Sequence, residues 1–421
     1  MYPTLYHALL DLTGIDWPWL KMMNSFGFFV ALAFLTANYL LFRELKRKEE
    51  QGLFFYTTKK ITEGKPASIF DFITSGTLGF VIGYKFLYIF LNRAEVFADG
   101  NLPQKFLLSL EGNLIGGLVL AAAFLFMRYR ESEKDRLPEP IEKIVFIKPS
   151  DRVGSITIVA ALFGFLGAKI FAGLEDPNDV LSFFRRPSVE GLLGGLAIYG
   201  GLIGGGLALI IYTRKHKISP LHFMDALAPG VMLSYGIGRI GCHVSGDGDW
   251  GIANTNPCPS WVPEWLWAYS YPNNVNVVSS FNPKGGYTGK TITTEMIESG
   301  IPSFPGYGTY LEPAVYPTPL YELALATIIF LILWRLRSKV KFAGSIIAIY
   351  FIFNGIERFF IEKIRVNDFF DLGFMTITQA EIIALCFVLF GVILLLLIRS
   401  GKIPAPKLPT KKEIGVSPSE L

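Results

Sequence analysis

The stretch Tyr235-Gly-Ile-Gly-Arg-Ile-Gly-Cys-His-Val-Ser-Gly-Asp-Gly-Asp-Trp-Gly251 closes an apolar segment that begins near Phe223, and it sets one arginine, Arg239, among small residues. Glycines at 236, 238 and 241 strip side-chain bulk from around that arginine. A phosphate group can then approach both the guanidinium and the backbone N–H groups. An arginine at membrane depth is costly and is usually kept for a pathway, a partner or a substrate. The plainer alternatives are snorkelling to the interface, or pairing with Asp247 or Asp249.

Composition supports the bilayer. The 421 residues are 51% hydrophobic and include 42 glycines and 36 phenylalanines, with a mean hydropathy of +0.41. That is too apolar for a soluble domain and reads as an all-α polytopic membrane protein. The net charge of +4 is spread over short clusters between apolar runs, which gives no nucleic-acid footprint. Cys242, Cys258 and Cys386 follow no metal-ligand spacing, so no metal is expected. Free thiols, or a disulfide between Cys242 and Cys258, both fit. The N-terminus lacks an early basic region, and Asp11 and Asp16 interrupt its apolar run, unlike a cleavable signal peptide. With Trp17 and Trp19, residues 5–20 read as a short interfacial helix.

A spanning helix needs about 20 mostly apolar residues. Nine segments qualify: 22–42, 68–91, 108–127, 153–174, 190–212, 222–243, 320–334, 343–361 and 375–398. The connections 43–67, 128–152, 213–219, 335–341 and 399–421 hold 26 of the 39 Lys and Arg, the alternate connections hold nine, and four lie within spans. This bias of about threefold places the N-terminus outside and the C-terminus in the cytoplasm.

The chain then divides into an interfacial segment 1–21, a first membrane region 22–151, a membrane core 152–243, an extracytoplasmic head 244–319, C-terminal membrane helices 320–400 and a cytoplasmic tail 401–421. The head is rich in Trp, Pro, Asn and Gly and lacks helix periodicity, so it predicts strands and loops. The Pro- and Lys-rich tail predicts disorder. A duplication is suggested by Gly83-Tyr84-Lys85 followed by Glu111-Gly-Asn-Leu-Ile-Gly-Gly117, which parallels Gly167-Ala168-Lys169 followed by Glu190-Gly-Leu-Leu-Gly-Gly195.

Four polar groups stand out from this background. Arg239 with its glycines is the first. The second is Ala197-Ile-Tyr-Gly-Gly-Leu-Ile-Gly204, where Gly200 and Gly201 permit close backbone approach and Tyr199 supplies a hydroxyl. The third is Tyr316-Pro-Thr-Pro-Leu-Tyr-Glu322, in which Pro319 suits a helix first turn and Glu322 complements the helix dipole. In the fourth, Arg358, Glu362 and Arg365 stand at i, i+4 and i+7 on one helical face, so that Glu362 can hold either arginine. The deduced topology brings all four towards the outer half of the bilayer. Arg239 and Arg358 are expected to face one cavity, where two guanidiniums suit a phosphate headgroup.

Together these motifs resemble the prolipoprotein diacylglyceryl transferase family. The resemblance rests on Gly238-Arg-Ile-Gly241 with the following Ser-Gly-Asp, on Tyr199-Gly-Gly-Leu-Ile-Gly204, on Pro317-Thr-Pro-Leu-Tyr-Glu322, and on Arg358 with Glu362 and Arg365, in the family's order across about 150–400. It implies an enzyme of the bacterial inner membrane that moves the diacylglyceryl group of phosphatidylglycerol to the lipobox cysteine of a prolipoprotein signal peptide. A thioether forms, glycerol phosphate departs, and no cofactor is needed. Arg239, Arg358 and Tyr199 become the expected catalytic groups. Gly200, Gly201, His243, Asp247, Asp249, Tyr321, Glu322, Glu362 and Arg365 become expected substrate contacts, alongside Arg239.

Four departures from the family stand out. Tyr199 replaces the usual histidine, and a phenol with a pKa near ~10 is a poor base. Tyr199, His243 or water is then left to take the thiol proton. Cys242 stands where an asparagine is usual, and either Asp247 or Asp249 matches a glutamate. The family normally has seven spans, so the pair around 68–127 is extra. A transporter for lipid or other anions, and a non-catalytic scaffold that binds lipoprotein signal sequences, are the competing readings.

Overall fold

The computed structural model describes residues 1–54, 56–98, 103–175, 197–371, 373, 376–404 and 406, excluding the side chains of 108, 175, 198 and 199. Residues 190–195 and most of the tail, on which expectations were placed above, lie outside the described residues. Among the described residues the long helices are α1 Ser25–Glu50, α2 Ile69–Leu91, α3 Leu114–Lys134, α4 Val153–Glu175, α5 Ile198–Lys215, α6 Pro220–Ser245, α7 Thr318–Leu336, α8 Ser345–Glu362 and α9 Gln379–Arg399. Five stretches, matching α1, α2, α4 (with the turn before it), α7 and α9, are long and apolar enough to cross a membrane. Their outward side chains fit lipid contact, as with Phe70 and Phe86 on α2 and Leu389, Phe390 and Leu396 on α9.

Strands join the helices: β1 Thr57–Glu63, β2 Ile141–Ile147, β3 Phe281–Asn282, β4 Tyr287–Thr291, β5 Thr309–Glu312, β6 Phe369–Asp371 and β7 Thr376–Thr378. Two of the basic connections thus carry more order than loop composition suggests. α1 runs on to Glu50, α3 to Lys134, and the strands that follow them pair with each other. The third span starts later than expected. A short helix Pro103–Leu108 comes first, and α3 begins at Leu114 behind Asn113, whose side chain caps the Gly116 N–H at 3.0 Å.

The chain forms two compact units, one built around Tyr56–Leu209 and the other from Met1–Phe55 with Ile210–Thr410. In the former, a strand and two helices occur twice, 84 positions apart: Thr57 to Ile141, Ile69 to Val153 and Leu114 to Ile198 mark equivalent starts. Connecting hydrogen bonds repeat too, Asn113 N–H donating to Tyr84 O at 2.8 Å and Ala197 N–H to Ala168 O at 3.1 Å. A side chain at Gly83 would strike the Gly116 carbonyl, and one at Gly167 would strike the Gly200 carbonyl, so each helix pair crosses at backbone contact. The counterpart of Gly116-Gly117 is therefore Gly200-Gly201, not the earlier Gly194-Gly195 that sequence similarity alone matched. Pairing of β1 with β2 is antiparallel and symmetric about Lys60 and Ile144, each strand's first residue facing the other's last. This is the self-complementary contact that two copies of one module make.

In the other unit, α6 packs on α1, α7 and α8, with Ala228, Met232, Ala326, Leu333, Ile346 and Ile347 at the core. Ser234 Oγ donates to Ala33 O at 2.7 Å and ties α6 to α1. Asp225 caps the start of α8, accepting from Gly344 N–H at 2.7 Å and Ile347 N–H at 2.9 Å. The segment between α6 and α7 forms a small body of strands and loops, and it also holds two short helices, Glu264–Trp267 and Thr294–Glu298, that its lack of helix periodicity did not predict. Its sheet has the order β3-β4-β5, and Trp250, Tyr271, Tyr287, Leu311 and Val315 fill its core.

Excising residues 57–140 removes one repeat and joins α1 to β2. The expected product is a stable shorter chain whose C-terminus keeps its side of the membrane, read with a C-terminal topology reporter. A switched C-terminus would contradict the assignment of the repeat as a helix pair that crosses and returns.

Candidate active site

Backbone pairing just past α6 assembles the site. Gly251 N–H donates to Tyr316 O at 2.9 Å, and Ile252 N–H donates to Ile364 O at 2.9 Å. The segment after Arg239 is thereby laid between the start of α7 and the end of α8. A side chain at Gly251 would collide with the Ile364 carbonyl, so glycine alone allows this approach. Thr318 Oγ1 donates to Asp249 O at 2.8 Å and fixes the same loop.

Four charged side chains close into a ring. Arg239 pairs through Nη1 with Asp249 and through Nε with Glu322. Arg365 pairs with the same two carboxylates, Nη2 to Asp249 Oδ1 at 2.5 Å and Nη1 to Glu322 Oε1 at 2.8 Å. Tyr235 Oη adds a hydrogen bond to Glu322 Oε2 at 2.6 Å, and its ring lies 4.9 Å from the Arg239 guanidinium carbon. Glu322 is completely buried. Alternating charge lets two cations and two anions share a low-dielectric interior that none could occupy unpaired.

Arg365 is where the helical-face expectation is corrected. α8 ends at Glu362, so Arg365 lies beyond the helix and turns to the ring, away from Glu362. Glu362 instead faces Arg358, whose Nη2 is 2.8 Å from Oε2, and it accepts a hydrogen bond from Asn367 through Oε1. Arg239 thus shares its carboxylates with Arg365, while Arg358 makes a neighbouring pair and is more exposed than either, at 24% against 13% and 11%.

The other expected residues have separate surroundings. Asp249, not Asp247, contacts both guanidiniums; Asp247 accepts from the Asp249 N–H at 3.2 Å and shapes the turn. Burial works against Asp249's charge, but Arg365 and then Arg239 outweigh it and hold the carboxyl down to about 2. Asp247 is pushed up, by burial first and by Asp249's charge second. His243 is drawn into the loop body, with Nδ1 3.1 Å from Tyr271 Oη and its ring against Tyr269 and Tyr271. Tyr321 Oη donates to Leu266 O at 2.7 Å. Gly200 faces the Gly167 carbonyl across the helix crossing, and Gly201 faces Gly164. Tyr199 belongs to the first turn of α5, and its side chain lies outside the described residues. All three cysteines are free, and Cys242 Sγ sits 3.5 Å from Asp249 Oδ2 and 3.7 Å from Arg239 Nη1.

Cys242, Asp247 and Asp249 bring potential metal-ligand atoms within 4.8 Å of one another. Two guanidiniums already neutralise Asp249, so a metal cation there would meet like charge. Anion chemistry fits the donor set better.

Sequence reasoning missed one group entirely. Glu357, adjacent to Arg358 on α8, is 4% exposed, and neither of its carboxylate oxygens has a hydrogen-bond partner among the described residues. Its position in the motif offered a weak signal, since it is a carboxylate inside an otherwise apolar helical run.

Helices long and apolar enough to cross a membrane, together with a ring of arginines and carboxylates, define a membrane protein with a charged centre. The chain matches the model of the prolipoprotein diacylglyceryl transferase family over residues 117–397, and it belongs to that family of transferases. It is 29% identical over 243 residues to phosphatidylglycerol–prolipoprotein diacylglyceryl transferase 1 of Clostridium perfringens, covering 56% of this chain and 75% of that relative. A Streptococcus uberis enzyme of the same name, without the numeral, is 25% identical over 299 residues, covering 69% and 90%. One from Stenotrophomonas maltophilia is 27% identical over 275 residues, covering 63% and 81%. The family match begins inside α3, so β1 and α2 of the first repeat fall outside it.

Removing one member of the ring leaves buried charge uncompensated. Glu322→Ala is expected to cost about 3–5 kcal/mol of stability, read as a lowered unfolding temperature in detergent. Asp249's folded pKa lies below the ordinary 3.8. Its stabilising contribution is therefore complete above that pH and lost as pH falls through about 2. Asp249→Asn should flatten the acid limb of the stability curve over that window.

Proposed function

We propose that the chain transfers the diacylglyceryl group of phosphatidylglycerol to the lipobox cysteine thiol of prolipoproteins, the first step of lipoprotein maturation. It does so as a multi-pass protein of the bacterial cytoplasmic membrane, with nine spans, an outside N-terminus and a cytoplasmic C-terminus. The observation that carries the site reading is the concentration of cationic donors beside orphaned polar atoms. Arg239, Arg358 and Arg365 surround Glu357 electrostatically, and both Glu357 carboxylate oxygens and Arg365 Nε are buried without a hydrogen-bond partner among the described residues. Such atoms call for a ligand, and Arg365 Nε is one of them.

In this reaction the sulfur attacks the glycerol carbon that carries the phosphate ester. The C–S bond forms, the C–O bond breaks, and the electron pair leaves on glycerol phosphate, whose charge grows. Arg239 and Arg358 hold the phosphate, and Arg365 secures the ring from its other side. Donors fixed before the reaction stabilise the developing charge without reorganising. Asp249 and Glu322 keep two of the guanidiniums in place, and Tyr235 orients Glu322. Tyr199, Gly200 and Gly201 are assigned to the substrate by their motif alone. His243, Asp247 and Tyr321 shape the loop body between α6 and α7.

Arg239→Ala should lower turnover by ~10²–10³-fold, and Arg365→Ala should follow it. Lysine should not restore either, because an ammonium cannot span two carboxylates as a planar fork does. The assay is thioether formation on a lipobox peptide in phosphatidylglycerol micelles, read by mass spectrometry. Lipid flux without thioether would favour a transporter, and peptide binding without turnover would favour a scaffold.

A further inference from the structure

We infer that Glu357 takes the proton from the attacking thiol, an inference that rests on the transfer reaction proposed above. A carboxylate that is 96% hidden, with both oxygens unpartnered, is expensive to keep in an apolar bundle. No hydrogen bond among the described residues repays that cost. The core that α8 joins is hydrophobic and holds Met232, Ala326 and Ile346, with Tyr350 and Phe353 packed against it. A fold with no use for an acid at 357 would be more stable with an apolar side chain there.

The neighbourhood gives the acid its use. Glu357 lies in the electrostatic field of Glu322 on α7, Arg239 and Tyr235 on α6, Arg358 and Tyr350 on its own helix, and Arg365 just past it. It therefore borders the groups that would hold the phosphate. Every other nearby carboxylate already has a cation or a donor. Asp249 and Glu322 are each shared by two arginines, and Glu362 is divided between Arg358 and Asn367. His243 is occupied with Tyr271 in the loop body. A tyrosine at 199, with an ordinary pKa of ~10, is a weak acceptor at neutral pH. Among the described residues near the ring, Glu357 is the acid whose two oxygens are both buried without a hydrogen-bond partner.

The step balances. As sulfur bonds to the glycerol carbon, the thiol proton passes to a carboxylate oxygen of Glu357. The carbon–oxygen bond breaks, and glycerol phosphate leaves with its electron pair and an added negative charge. Glu357 then hands the proton to that phosphate or to water and is ready for a second turnover. Proton and charge separate only briefly, which suits a low-dielectric site.

Glu357→Gln keeps the shape and removes the acceptor. With purified full-length protein, phosphatidylglycerol micelles and a lipobox peptide, turnover should fall by ~10²–10⁴-fold, while KM for phosphatidylglycerol stays near that of the unaltered chain. The residual rate should climb about tenfold per pH unit up to the thiol pKa of ~8.5, because only preformed thiolate then reacts. Glu357→Asp should recover part of the turnover. Wild-type turnover and pH profile in Glu357→Gln would overturn the assignment, as would a loss confined to KM, or a loss with no rise towards high pH. If Glu357→Gln fails to fold, Glu357→Asp decides: reduced turnover with an altered pH profile supports the role, and an unaltered profile refutes it. No thioether from the unaltered chain would sink the transfer reading and this inference with it. Thioether from the unaltered chain alongside an indifferent Glu357→Gln would sink this inference alone.

Discussion

Two arginines cannot lie side by side inside an apolar helix bundle unless something cancels their charge. Asp249 and Glu322 do so here, each touching both Arg239 and Arg365. The surrounding architecture follows from that need. α6 brings Arg239, α7 brings Glu322, the turn after α8 brings Arg365, and the loop after α6 brings Asp249. Close backbone contact at Gly251 lets that loop reach the end of α8. Because the four charges form a closed set, each depends on the other three. The ring is therefore a structural joint whose guanidiniums are fixed in place by their carboxylates.

The same economy explains the division of labour among the polar residues. Tyr235, Thr318 and Asn367 support charged side chains or the loop that carries them. Tyr321 and His243 stitch the loop body together. Glu357 belongs to neither group, and that isolation is what makes it chemically interesting. Buried polar groups in a native fold ordinarily have partners, and Glu357 is the buried acid beside the ring that lacks one.

The unit of Tyr56–Leu209 has a different logic. One β-α-α module occurs twice, and its strands pair in the self-complementary register that two copies of a module would use. The tight glycine crossings recur at equivalent positions in both copies. The second copy carries Tyr199-Gly200-Gly201 of the family motif. The first has Ile115-Gly116-Gly117 at the equivalent positions, so the tyrosine is not part of what the module needs in order to pack.

Much of this was legible in the linear chain. Apolar length and the positions of Lys and Arg argue for membrane helices, and four spaced motifs identify the family. Arg239 and Glu322 stand out because a charge in an apolar run is expensive wherever the chain folds. The glycine pattern suggested a duplication, but similarity alone matched the second copy's start to the wrong glycines, since a short Gly-rich motif fits several registers. Helical spacing likewise set Arg365 beside Glu362, whereas the helix stops at Glu362 and frees the arginine to reach partners more than forty residues away in sequence. Glu357 was passed over because hydrogen-bond satisfaction is a property of neighbours. Composition and periodicity decide which segments leave water and which charges go with them. Which carboxylate meets which arginine, and which is left without one, depends on where helices end and how closely their backbones approach, and that is fixed only when the chain packs.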